Sequence, residues 1–284
     1  MSFSIFPPHC REIGTMFAQS ANKEPQLVRS LQDLTILENY ERGANKLKAT
    51  TFYHISNDDE FYFGVMSKDK VDTSIPEYNA ALKRVPDEKI WPEAPADANL
   101  TLVPDNLTEK SAFLKRPRLK SYSPGTDNSL ILQSFLKETL IMEQLSKSPH
   151  PSFVQYLGCR VKRGRLTAIW LERLERTLNQ YVNTPEFNQL DKDKFVDDVE
   201  SAVNHLHASG LAHNDINPNN IMIKGNKPIL VGFGSCRPFG ENLDSLGSPG
   251  WDEQVFSTSE KENDILSLNN LRDWIKKPVQ EEKF

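Results

Sequence analysis

The chain has 284 residues, enough for one large domain or two small lobes with cores of their own. Its 34 basic and 39 acidic side chains leave a net charge of −5, which argues against a nucleic-acid binder, whose usual footprint is a basic excess. No run approaches the roughly 20 apolar residues of a membrane span, and the first residues lack the basic and apolar regions of a signal peptide. The three cysteines, Cys10, Cys159 and Cys236, are far apart and match no zinc or redox spacing. A soluble cytoplasmic or nuclear protein with reduced thiols is expected.

In chain order, residues 1–45 read as an N-terminal extension whose stretch "PQLVRSLQDLTILENYERG" is weakly helical. "TTFYHI" and "EFYFGVM", separated by "SNDD", predict a β-hairpin. Residues 69–106, rich in Pro, Asp, Ala and Glu, read as irregular apart from a short helix near "PEYNAALKRV". "SAFLK" (111–115) reads as a strand, and the basic run "LKRPRLK" that overlaps it as a solvated strand edge. "NSLILQSFLKETLIMEQLSK" places Leu132, Phe135, Leu136 and Leu140 at helical spacing.

"SFVQYLGCRV" and "RLTAIWLE" read as two strands joined at "KRG". "DKFVDDVESAVNHLHASG" predicts an amphipathic helix with Phe195, Val199, Val203 and Leu206 along one stripe and Gly210 closing it. The last helix, "EKENDILSLNNLRDWIKK", carries Ile265, Leu268, Leu271 and Ile275 on one expected face. Strands dominate before about residue 172 and helices after it, and ligands often bind where two such parts meet.

At that junction lies "HNDINPNN" (213–220). On a tight loop stiffened by Pro218, Asp215 can face a hydroxyl while the amide oxygen of Asn220 faces a metal ion, the two jobs phosphoryl transfer asks of such a loop. A polar turn that satisfies its own backbone is the plainer alternative. Lys115 at a strand end and Glu138 on the next helix add the ion pair that would steady the α- and β-phosphates.

Taken in order, these motifs resemble the protein-kinase superfamily. "AFLK" resembles the V-A-I-K strand, "KETLIMEQLSKSPHPSFVQYLG" the αC helix and following strand, and "HNDINPNN" the H-R-D-L-K-P-E-N loop. "VGFG" stands where the D-F-G strand end is expected, "GSPGW" resembles the end of an activation segment, and Asp264 occupies the place of the αF aspartate that braces the catalytic loop. "FLKRPRL", "HPSFVQYLGC" and "GFGSCRPFGENL" look like short kinase-like proteins common in filamentous fungi.

The resemblance implies an α+β, two-lobed protein-kinase-like fold. A smaller β-rich N-lobe would span 46–171, and a truncated, mainly helical C-lobe would span 172–284. It implies Asp215 as the catalytic carboxylate, with Lys115, Glu138 and Asn220 around ATP and the adenine edge against backbone near Glu172 and Leu174. Mg2+ would have Asn220 as its protein ligand, because Gly232 stands in place of the D-F-G aspartate.

Other departures accompany that one. No glycine-rich loop precedes Lys115, Asn214 replaces the H-R-D arginine, and Asn217 replaces the lysine after the catalytic aspartate. The residues therefore leave three functions open. The first is weak phosphoryl transfer from ATP to a Ser/Thr hydroxyl of a protein. The second is a catalytically impaired pseudokinase acting as a binding or scaffold module. The third is a phosphotransferase of the aminoglycoside or choline kinase type, acting on a small-molecule hydroxyl.

Overall fold

A computed structural model describes residues 26–40, 47–104, 106–244, 247–248, 251 and 255–278. Four antiparallel strands come first, in sequential order: β1 (Thr35–Tyr40), β2 (Leu47–Ile55), β3 (Phe61–Met66) and β4 (Lys83–Arg84). Alternation sorts their side chains onto two faces. Phe61 and Phe63 join Trp91, Leu119, Tyr122 and Ile131 in one core. Phe52 joins Val28, Tyr78 and Leu82 in another, beside the short helix α1 (Ile75–Ala81). Gly64 lies opposite Phe52 in the ladder, and a Cβ there would come within 2.4 Å of the Phe52 ring.

Of the stretch 25–43, read as weakly helical, the described residues 26–40 form a 3₁₀ turn at Leu31–Asp33 and then β1. Thr35 and Ile36 are β-branched, and six residues of β1 pair with β2, so tertiary pairing overrides a faint helical period. β1 thus shares a sheet with residues beyond the expected boundary at 45–46. Residues 1–25 and 41–45 of that extension, and residue 46 after it, lie outside the described residues.

A second antiparallel sheet has the order β5 (Ala112–Lys115), β7 (Arg165–Glu172), β6 (Tyr156–Lys162). Helix α2 (Ser129–Ser146) packs against it. Its buried face runs through Ile131, Phe135, Glu138, Met142 and Leu145. The expected stripe was rotated from this one, and Leu140 is 38% exposed. The cause is that α2 buries two carboxylates, Glu138 and Glu143, which hydrophobic periodicity assigns to solvent. Glu143 accepts from the Tyr156 hydroxyl at 2.7 Å and from the backbone N and hydroxyl of Thr101 at 2.6 and 3.0 Å.

The two sheets are joined at Asp59, a fully buried residue at φ 59° in the β2–β3 turn. Its carboxylate accepts from Arg116 at 2.7 Å and from the Thr167 hydroxyl at 2.6 Å, and lies 3.7 Å from Arg160.

The remaining chain is mainly helical: α3 (Leu178–Tyr181), α4 (Lys192–Ala208) and α5 (Lys261–Trp274). Two short ladders accompany them, β8 (Leu211–Ala212) with β11 (Arg237–Pro238), and β9 (Ile221–Lys224) with β10 (Lys227–Leu230). On α4 the expected stripe of Phe195, Val199, Val203 and Leu206 is buried, and Gly210 follows at φ 76°. On α5 Leu268, Leu271 and Ile275 are buried but Ile265 is 50% exposed, because the first turn buries Asn263 and Asp264 instead. One core runs from Phe135 of α2 through β6 and β7 to α4 and α5. No helix among the described residues is long and apolar enough to cross a membrane.

His150, in the connection between α2 and β6, lies against His205 of α4 with ring centroids 5.3 Å apart. Burial, together with the neighbouring His205, lowers the pKa of His150, and Asp198 opposes them. Between that lowered value and its ordinary 6.5 the unfolded chain binds more protons than the folded one, so this group's contribution falls as pH drops below about 6.5. Calorimetric melting from pH 7 to pH 5 should therefore show a shallower loss of stability for His150→Gln than for wild type.

Candidate active site

Lys115 closes β5, the strand that pairs with β7 at the edge of the second sheet. Its Nζ donates to Oε1 of Glu138, which α2 presents from its buried face. Gly234 runs beside this pair, with Glu138 Oε2 3.6 Å from where a Cβ would stand.

Below the pair lies the loop that follows α4. Asp264, fully buried in the first turn of α5, accepts from the backbone N of His213 and of Asn214, both at 2.8 Å. It also accepts from His207 Nε2 at 2.8 Å. His213 in turn donates from Nε2 to the carbonyl of Val231 at 3.0 Å and packs on Phe233. Asn214 sits at φ 61°, a region where asparagine is better tolerated than most residues. Its amide nitrogen donates to the carbonyls of Ala212 and Ser235 and to the Ser259 hydroxyl, at 2.9, 3.2 and 3.0 Å. Its oxygen accepts from Asn263 at 2.9 Å. Where the sequence pattern expects an arginine, a neutral amide ties the loop to two neighbouring segments.

Asp215 is held by two amides. Asn217 Nδ2 donates to Oδ1 at 3.0 Å, and Asn220 Nδ2 donates to Oδ2 at 2.7 Å and to the Asp215 carbonyl at 2.8 Å. Asn217 also reaches the Ser248 hydroxyl at 3.0 Å. Gly232 follows β10 in the left-handed region at φ 81°, and a Cβ there would lie 2.4 Å from Asn220 Oδ1.

Lys115, Glu138, Asp215, Asn220 and Gly232 line one cleft of about 340 Å3. Glu172 and Leu174 do not line it. Glu172 ends β7, accepts from the backbone N of Gln155 at 2.9 Å and pairs with Lys224, while Leu174 packs against the main core. Cys159 and Cys236 are buried free thiols. Burial above all raises both, Cys159 to about 11 and Cys236 well above its ordinary value, so neither is a nucleophile near neutral pH.

A family profile described as "Protein kinase domain" matches residues 103–255, more than half of the chain and the whole of the 213–220 loop. The chain belongs to the protein kinase domain family. Among curated relatives it is 28% identical over 138 residues to dual specificity testis-specific protein kinase 2 of Mus musculus, a match covering 42% of this chain and 22% of that protein. It is 29% identical over 117 residues to a serine/threonine-protein kinase/endoribonuclease of Homo sapiens, covering 36% and 12%. It is 35% identical over 152 residues to a probable myosin light chain kinase of Dictyostelium discoideum, covering 50% and 49%. The matches thus span less than half the length of each of these relatives.

Kinase domains use ATP, typically with Mg2+. Mg2+ prefers carboxylate and phosphate oxygens. In this cleft Glu138 is taken by Lys115, and Asp244 by Arg237 and Lys137 at 2.9 and 3.0 Å. Partial burial works against the charged form of Asp244, but those two cations hold its carboxyl below the ordinary value. Gly232 brings no carboxylate, the amide oxygen of Asn220 is neutral, and Asp215, the one cleft carboxylate without a cation among the described residues, stands alone and already accepts from Asn217 and Asn220. Among the described residues no group of three His, Cys, Asp or Glu could hold a metal ion. The donor set does not fit a divalent ion held by the protein alone.

Several cleft residues were not singled out from the sequence: Arg116, Arg118, Ser121, Ser134 and Asp244. The signal for the first two was the run "LKRPRLK". The solvated edge expected there holds for exposed Arg118 and Lys120, while Arg116 is paired to buried Asp59 and Leu119 lies in the core beneath the first sheet.

Two outcomes follow from this geometry. Asp264→Ala leaves two buried backbone N–H groups and His207 without their acceptor, and should cost about 3–5 kcal/mol in urea denaturation. Gly232→Ala and Gly232→Asp both place a Cβ at positive φ against an amide already fixed by Asp215. Each should lose about 1–2 kcal/mol by the same measurement.

Proposed function

We propose that this chain binds ATP in the cleft between β5, α2 and the 213–220 loop, and that it transfers the terminal phosphoryl group slowly to a hydroxyl. The observation that carries the reading is that Lys115, Glu138, Asp215 and Asn220 line one cleft, with the Lys115–Glu138 pair formed. In this reading Lys115, oriented by Glu138, meets the phosphates. Asp215, its two oxygens aimed by Asn217 and Asn220, orients the acceptor O–H. It takes that proton as the new P–O bond forms and the bond to the leaving diphosphate breaks. The acceptor is a Ser/Thr hydroxyl of a protein or the hydroxyl of a small molecule.

Slow transfer follows from the same residues. A charge contact to the transferring group is worth about 10²–10³ in rate. Gly232 and Asn217 each remove one where kinase domains carry a carboxylate and a lysine. That deficit favours, as second reading, a pseudokinase that binds nucleotide and serves as a scaffold.

Thermal melting with and without ATP tests the binding step. At 100 times its Kd, ATP should stabilise wild type by about 2.7 kcal/mol through mass action. Lys115→Ala should gain much less than wild type, and Asp215→Asn should gain a similar amount. Transfer of labelled phosphate to a mixed Ser/Thr peptide pool should be slow in wild type and absent in Asp215→Asn. Equal ATP shifts in wild type and Lys115→Ala would remove the site as placed. A normal shift with no transfer in wild type would leave the scaffold reading.

A further inference from the structure

The cleft is lined by three basic side chains, Lys115, Arg116 and Arg118, and three carboxylates, Glu138, Asp215 and Asp244. Lys115 is paired with Glu138, and Arg116 with Asp59 outside the cleft. Asp244 is paired with Arg237 and Lys137, and Asp215 is held by neutral amides. Arg118 has no acidic partner among the described residues. With the internal pairs set aside, the cleft presents one carboxylate aimed by amides and one arginine without a counter-charge.

Arg118 is not on a loose loop. Buried Pro117 precedes it, and the 3₁₀ turn Leu119–Ser121 follows. Leu119 is buried with Phe61 and Tyr122, which ties the turn to the first sheet. The exposed guanidinium is therefore carried by a fixed backbone at the wall of the cleft, with the hydroxyls of Ser121 and Ser134 lining the same space. A guanidinium offers a planar fork of donors that matches phosphate oxygens two at a time. A triphosphate beside Asp215 needs added positive charge, Lys115 is shared with Glu138, and the donor set holds no divalent ion of its own.

We propose that Arg118 binds the terminal phosphates of the nucleotide and supplies charge that kinase domains otherwise draw from a protein-held metal ion. The inference rests on the nucleotide reading above and goes beyond it: triphosphate binding here depends on Arg118 and only weakly on divalent cations.

The test is calorimetric titration of the whole chain with ATP, ADP and adenosine, in EDTA and again in Mg2+. Wild type should bind ATP more tightly than adenosine in EDTA, and Mg2+ should change the ATP affinity by less than about threefold. Arg118→Gln, an exposed change that should leave the melting temperature of the free protein unaltered, should weaken ATP about tenfold or more while adenosine binding stays the same. Arg118→Lys should fall between, since a point charge replaces the fork.

Equal ATP affinity in wild type and Arg118→Gln overturns the inference while leaving the nucleotide reading standing. So does ATP binding that appears only with Mg2+. If Arg118→Gln spares ATP but weakens a phosphoserine peptide, the arginine serves a phosphorylated side chain and the inference is wrong. If neither ATP nor adenosine binds wild type, the nucleotide reading itself fails, and this inference with it.

Discussion

The geometry of the cleft depends on where Asp264 puts its two oxygens. The carboxylate sits in the first turn of α5, where the helix dipole favours negative charge, and it collects two consecutive backbone N–H groups and one histidine. Those backbone groups belong to His213 and Asn214, the residues just before Asp215. Asn214 is held at positive φ, a conformation that must be over-determined by its surroundings to persist. The five hydrogen bonds made by its backbone N and side-chain amide do that. Asp215 points into the cleft because the residue before it has nowhere else to go.

Around this frame the chain has kept shape and shed charge. Asn214, Asn217 and Gly232 stand at three positions where the family pattern carries an arginine, a lysine and an aspartate. The two asparagines are not idle replacements. Each spends its amide on the carbonyls, hydroxyls or carboxylate that the loop needs in order to hold its form. Hydrogen bonds between neutral groups preserve position well, but they contribute far less than ions to a developing charge in a partly dry site.

Much of this was legible in the sequence for a physical reason. Motifs such as "AFLK" and "HNDINPNN" pair a residue type with a fixed place on a strand end or a loop, and α4 shows its core stripe plainly. The failures have causes as well. On α2 the buried face includes Glu138 and Glu143, so a search for apolar periodicity settles on the neighbouring face. On α5 the first turn is buried for hydrogen bonding rather than packing, which leaves Ile265 outside. β1 is a strand because it pairs along its whole length with β2, the next strand, and that pairing outweighs its faint helical period. The inward turn of Arg116 within "LKRPRLK" depends on Asp59, fifty-seven residues earlier, and no local pattern announces such a partner.

That aspartate has a mechanical consequence. Arg116 follows Lys115 directly, and its guanidinium is clamped to a carboxylate that belongs to the other sheet. Losing Arg116 while Asp59 stays buried would cost about 3–5 kcal/mol. The hairpin and the Lys115 strand are therefore coupled through a buried carboxylate. A displacement of the β2–β3 turn is thus met one residue away from Lys115, the lysine that lines the cleft.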